Sequence, residues 1–168
     1  MTRWLGPLLV LAIAALGPHW ATLAFAPSVI MDRALGALES RGVALHAFTA
    51  PTRITPQSQQ VVRSSPDLFY SLCRYDLSGP ASSLSITMAE WPDYQSLSFF
   101  DAGTNNFLTH RGTGQSITVT LTAPGSGGDS ESPTQRGVVL IRRLAPSQEL
   151  FDAAKAVSVG DTCALVSG

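Results

Sequence analysis

The chain has 168 residues, enough for one domain and an anchor. Apolar residues make up 45% and charged residues 14%, against about a quarter charged in an ordinary soluble domain. The net charge is -1 and no basic block exists, which argues against nucleic acid as a partner. The adjacent Arg142 and Arg143 read as the flank of a strand end.

The first element is an apolar run. From Trp4 to Met31 the only ionisable side chain is His19. As a helix, about 20 residues would cross about 30 Å of hydrocarbon. This run is longer, so the span tilts or its last turns continue past the bilayer. Pro7 stands near the tolerant start, whereas Pro18 is expected to kink the helix or leave it locally unsatisfied. Trp4 and Trp20 suit interfacial positions. His19 reads either as a polar group facing a partner helix or cavity, or as a neutral ring that snorkels or meets a carbonyl freed by Pro18. A cleaved signal peptide is the rival reading: Leu5 to Leu16 has the length of its apolar core, and Ala24-Phe25-Ala26 is the best small-x-small site. Pro27 directly after that site makes a poor protease substrate, which favours a retained anchor over residues 1–31. Arg3 precedes the span, while Asp32, Arg33, Glu39 and Arg41 nearly cancel beyond it, so the remainder is expected to cross the membrane. Two cysteines in that remainder suit an oxidising compartment.

Residues 32–66 read as a helix and a connector. Val29, Ile30, Ala34, Leu35 and Leu38 recur at helical spacing from Pro27-Ser28 to Ser40, and Gly42 is a natural stop. Residues 43–66 hold Pro51, Pro56 and Pro66 among Thr, Ser and Gln, and predict an extended connector over the domain with a short strand at Val43–Phe48.

Residues 67–168 predict a β-rich domain. Strands are expected at Phe69–Leu77, Ser83–Met88, Gln95–Asp101, Phe107–His110, Ser116–Thr122 and Gly137–Arg143. Ser78-Gly79-Pro80 is expected to turn the first strand into the second. The apolar run Val138–Ile141 marks a central strand, buried on both faces or covered by a helix. The stretch PGSGGDSESPTQR cannot bury a core and is expected to be mobile. Leu150, Phe151 and Ala154 place a helix over Pro146–Val157. The fold class is therefore mainly β: an antiparallel β-sandwich or open barrel with a C-terminal helix, behind an N-terminal transmembrane helix.

Three segments, CRYDLSGP, QSLSFFDAGTNNFLTHRGTG and RGVVLIRRL before a helix, resemble the domain-of-unknown-function 1254 family, in its short, membrane-anchored bacterial branch. Tyr75, Asp76, Leu77, Ser78 and Pro80 match a Tyr-Asp-Leu-Ser-x-Pro turn. Asp101, Thr104, Asn105, Phe107, Arg111 and Gly114 match a strand ending in Asp, a Thr-Asn-x-Phe turn and a following Arg and Gly. The resemblance covers roughly Asp67 to Val157. It implies a β-rich fold and an envelope location: the bacterial inner membrane, single-pass, with the C-terminal domain in the periplasm. It implies no activity and carries over no catalytic residue. The larger members continue into a second domain related to the domain-of-unknown-function 1214 family, which in the short branch looks to be a separate anchored protein.

Cys73 beside Arg74 admits two readings. The cation lowers a thiol pKa, but no motif places a base next to it; a disulfide between Cys73 and Cys163 is the default for two cysteines in an exported domain. Alternation puts Cys73 on one face with Phe69, Ser71 and Tyr75, and Arg74 and Asp76 on the other, paired with each other or across strands. Ser98, Asp101 and His110 do not make a hydrolase, because no G-x-S-x-G elbow occurs. His19, His46 and His110 lie far apart and no CxxC exists, so no metal site and no cofactor is assigned. The segment from Asp101 to Arg111 reads as a turn with Asn105 or Asn106 in left-handed φ, or as a polar binding site made by Asp101, Asn105, His110 and Arg111.

Two function classes remain: an anchored envelope module that binds a partner protein or ligand, or an enzyme or enzyme subunit acting on an envelope substrate through Asp101–Arg111. The Ser/Thr faces of Leu84–Met88 and Ile117–Leu121 lack the charges that guard an open sheet. They point to the first class, with a second small anchored protein resembling the 1214 family as partner.

Overall fold

The computed structural model describes residues 2–50, 52–55, 64–79, 83–112 and 114–166. Pro51 and Pro56 of the connector and Pro80 of the expected turn lie outside the described residues. A 3-10 turn at Thr2–Trp4 leads into α1 (Leu5–Ser40). Then come β1 (Leu68–Asp76), β2 (Ser83–Met88), β3 (Gln95–Asp101), β4 (Asn106–Arg111), β5 (Ile117–Thr122), β6 (Arg136–Leu144), α2 (Gln148–Val157) and β7 (Thr162–Val166).

Two antiparallel sheets face each other as a sandwich, not a closed barrel: β1-β6-β3-β4 and β5-β2-β7. The strict alternation of β1 and β2 supplies the inner faces. Phe69, Ser71, Cys73 and Tyr75 are buried on β1, and Leu84, Ile86 and Met88 on β2. Cys73, Tyr75, Leu84, Ile86 and Met88 meet Leu97, Phe99, Val119, Leu121, Val139 and Ile141 in one cluster. β6 is central, between β1 and β3, as its apolar run requires. Ser78 and Gly79 do not close a hairpin, because β1 and β2 belong to opposite sheets; each turns its apolar face to the shared core from its own side.

A second cluster closes one end of the sandwich. Ser147 caps α2 by accepting the Leu150 N–H at 3.1 Å, which starts the helix two residues after Pro146. Phe151 and Ala154 then pack against Phe69, Trp91 and Ala145, with Phe151 edge-on to Phe69 at 5.1 Å between ring centres. Arg53 of the connector lies over the Phe151 ring and donates to the Pro146 carbonyl at 2.7 Å.

α1 is one helix where two segments were expected. Pro18 and Pro27 both stand inside it. A proline φ is itself helical, and each costs one backbone bond within a stretch rich in strong helix formers. The Thr22 hydroxyl donates to the Pro18 carbonyl at 2.8 Å. The stop is as expected: Gly42 takes φ +79, and the Val43 N–H returns to the Leu38 carbonyl at 3.0 Å. The segment after it forms isolated bridges to β1 at Leu45 and Thr49 in place of a strand, and Phe48 packs on the core.

Two features exceed the sequence reading. β7 completes the smaller sheet by pairing with β2. The Gly/Ser-rich loop is knit to β5: Thr122 exchanges backbone bonds with Ser130 and Ser132, and the Glu131 carboxylate accepts the Gly125 and Gly127 N–H groups at 2.7 and 2.9 Å. Those two bonds hold the Glu131 carboxyl below its usual range.

Candidate functional site: the Asp101 turn and its surroundings

Asp101 ends β3 with its side chain directed into its own turn. Oδ1 accepts the Gly103 and Asn105 N–H groups, each at 2.8 Å, and Oδ2 accepts the Asn105 amide at 2.9 Å. Thr104 takes the left-handed φ, +67°, where Asn105 or Asn106 was expected. The side-chain and backbone bonds of Asn105 to Asp101 fix its own conformation, which moves the positive φ one residue earlier. The carboxylate is thus saturated by three local donors, an Asx-type arrangement that builds the turn.

The four candidate residues do not converge. Asp101 and Asn105 are joined in the turn, while His110 and Arg111 lie at the far end of β4 on opposite faces. His110 pairs in register with Leu97 and so points inward at the sheet edge. Its Nε2 is buried without a partner among the described residues. It lines an open groove of about 400 Å³ with Thr118, Thr120, Thr122 and Asp129. Arg111 is exposed. Among the described residues no cluster of His, Cys, Asp and Glu could hold a metal ion.

The stretch Cys73-Arg74-Tyr75-Asp76 distributes its chemistry in four directions. Cys73 bonds Cys163 across the two sheets, with Cα atoms 6.6 Å apart. Arg74, on the other face, donates to the Val43 carbonyl at 2.9 Å and pairs with Glu39 of α1 at 3.1 Å. It does not pair with Asp76. The Tyr75 hydroxyl reaches Ser132 at 2.9 Å and the Phe100 carbonyl at 3.3 Å. Gly137 must be glycine there, since a Cβ would lie 2.1 Å from the Phe100 oxygen and 2.4 Å from the Tyr75 hydroxyl. Burial pushes the Tyr75 phenol up to about 12, the nearby Asp101 charge adding to it and the Ser132 and Thr134 hydroxyls opposing. Burial raises the Asp76 carboxyl, but the Ser78 hydroxyl and N–H, Arg136 and His46 together outweigh it, and the pKa falls below the ordinary value.

The group that sequence reasoning missed is a buried ion pair. Arg143 and Asp161 have fully buried side chains. Nη1 meets Oδ2 at 2.8 Å and Nη2 meets Oδ1 at 2.6 Å, a bidentate geometry. Ala89 completes it, its carbonyl accepting from Nη2 at 3.2 Å and its N–H donating to Oδ1 at 3.0 Å. Arg143 does stand at the end of β6, as expected, but it is buried and not solvated. It follows Val139 and Ile141 on the inward face of β6, and Asp161 stands two residues before Cys163. That alternation was the available signal.

A family model described as "Protein of unknown function (DUF1254)" matches residues 46–164, from near the start of the connector into β7. The chain belongs to the DUF1254 family. Within that match the Asp101, Thr104 and Asn105 positions of the family resemblance are the ones that build the turn. The VPA0106 protein of Vibrio parahaemolyticus is similar in structure, with a TM-score of 0.62 at 12% identity over 85% of this chain and 36% of that one. A putative uncharacterised protein of Burkholderia cenocepacia gives 0.44 at 13% identity, over 62% of this chain and 32% of its own. The chain thus spans about a third of the length of these two solved proteins. No curated protein matches it.

Proposed function

We propose that this DUF1254 chain is a single-pass protein of the bacterial inner membrane, with its sandwich in the periplasm acting as a binding module for a second small anchored protein resembling the 1214 family. Several observations support the anchor. α1 is long and apolar enough to span, and its apolar window buries nothing in the protein. Ala24–Pro27 is helical, whereas a protease reads an extended site. The Cys73–Cys163 disulfide suits an oxidising compartment.

The observation that carries the binding role is the outer face of the three-stranded sheet. Its rows are Thr118-Thr87-Thr162, Thr120-Ser85-Ala164 and Thr122-Ser83-Val166. None of the nine side chains is charged, so a partner can cover this face without desolvating a charge. The partner class follows from the family resemblance. Two chains anchored in one membrane meet at high effective concentration, so a modest contact suffices. The enzyme reading has less support, because Asp101 is occupied by its own turn. The test is a photoreactive residue replacing Thr118 or Thr120 in intact cells. An adduct with a second small membrane protein is expected; a clean monomer from both positions overturns the proposal.

A further inference from the structure

We infer that α1 is one stiff post to which the sandwich is clamped, so that the three-stranded sheet looks sideways along the membrane plane. The inference rests on the anchor reading. α1 contacts β6, a central strand with both edges paired. The inner face is filled by Val139 and Ile141 against the other sheet, and Val138, outward beside Arg74 in register, is also buried, so the outer face is covered at that point. α1 therefore lies on the outer face of the four-stranded sheet.

The burial of Met31 marks the contact. This residue is 7% exposed, and an isolated helix has nothing to bury it. Leu35 and Leu38 continue the covered stripe one and two turns on. The clamp closes at Arg74, which holds Glu39 at 3.1 Å and the Val43 carbonyl at 2.9 Å.

No flexible residue separates the apolar run from this clamp, because α1 is helical from Leu5 to Ser40. Its 36 residues are about 54 Å long, against about 30 Å of hydrocarbon. The turns that project beyond the bilayer are those that carry Met31, Leu35 and Leu38. A spanning helix tilts by about 20° on average, and by no more than about 40°, from the bilayer normal. A sheet lying along that helix is upright, and so is the sheet stacked behind it. The Ser/Thr face then points away from its own anchor, toward a lateral neighbour.

The test uses the full chain in nanodiscs and in aligned bilayers. Spin labels at Gly36 and Thr120, both exposed positions, should give one narrow distance, broadened by combining Met31→Asp with Arg74→Ala. Polarised infrared dichroism should show upright sheet planes beside a near-normal helix. A broad distance in the unaltered chain overturns the clamp, and sheets lying flat on the bilayer overturn the orientation. Intact mass separates the two readings: a mature chain beginning near residue 27 sinks the anchor while the narrow distance survives.

Discussion

The two sheets are built by the same alternation but end in different surroundings. The four-stranded sheet is covered outside as well as inside: α1 lies on it, the connector bridges the β1 edge, and Arg74 and Arg142 are engaged there by Glu39 and Ser98. The three-stranded sheet is covered inside and, outside, by the Gly/Ser loop at Thr122; its outer rows are Thr, Ser, Ala and Val. Links between the sheets are concentrated on β7, through Cys163 and the preceding Asp161. Removing one partner of that wiring strands the other inside, whereas the outer face of the smaller sheet carries only the Thr87–Thr118 hydroxyl contact and the loop bond of Thr122.

Breaking the wiring should have the largest effect. Arg143→Ala strands a buried carboxylate, for which about 3–5 kcal/mol of destabilisation is expected. Replacing Arg143 and Asp161 together by Met and Leu should recover much of this in thermal unfolding. Replacing Cys73 and Cys163 by Ser opens a loop with a sequence separation of 90 and should cost about 2–5 kcal/mol by denaturant titration. Gly137→Ala forces a methyl onto the Phe100 carbonyl and the Tyr75 ring, with a loss of about 1–3 kcal/mol or more.

Tyr75 offers a pH handle on the same interior. The folded protein holds this proton up to about 12, whereas an ordinary phenol releases it at 10.0. Its contribution is fully present below pH 10 and is lost as pH rises from 10 toward 12, by up to about 2–3 kcal/mol. Stability profiles of Tyr75→Phe should lack that step. The smallest effect belongs to the bare face. Thr120→Lys should change stability by less than about 0.5 kcal/mol yet abolish photocrosslinking from Thr118. A large loss of stability there would contradict the division between the sheets.

Much of this was legible. Strand positions followed from two-residue alternation, which burial of one face imposes directly, and the disulfide followed from the cysteine count. The merging of α1 was not legible, since Pro27 ends helices as readily as it sits inside them. β7 escaped because Thr162–Val166 is short and its register is set by β2, a contact made across the fold. The ion pair was hidden because an Arg-Arg step reads as solvated until the inward phase of β6 is extended to Arg143. At the candidate site the residue types were right for a turn, but convergence of His110 and Arg111 with Asp101 depended on a strand length that sets them apart.

The position of β7 has a kinetic consequence. Cys73 and Cys163 are 90 residues apart, and synthesis at about 5–20 residues per second separates their emergence by about 5–20 s. Throughout that interval the first thiol lacks its mate, and β2, once made, lacks its second neighbour; Arg143 lacks its counterion only over the 18 residues that separate it from Asp161. The domain therefore closes on its last strand, and its first half waits with an open β2 edge and an unpaired thiol until β7 arrives.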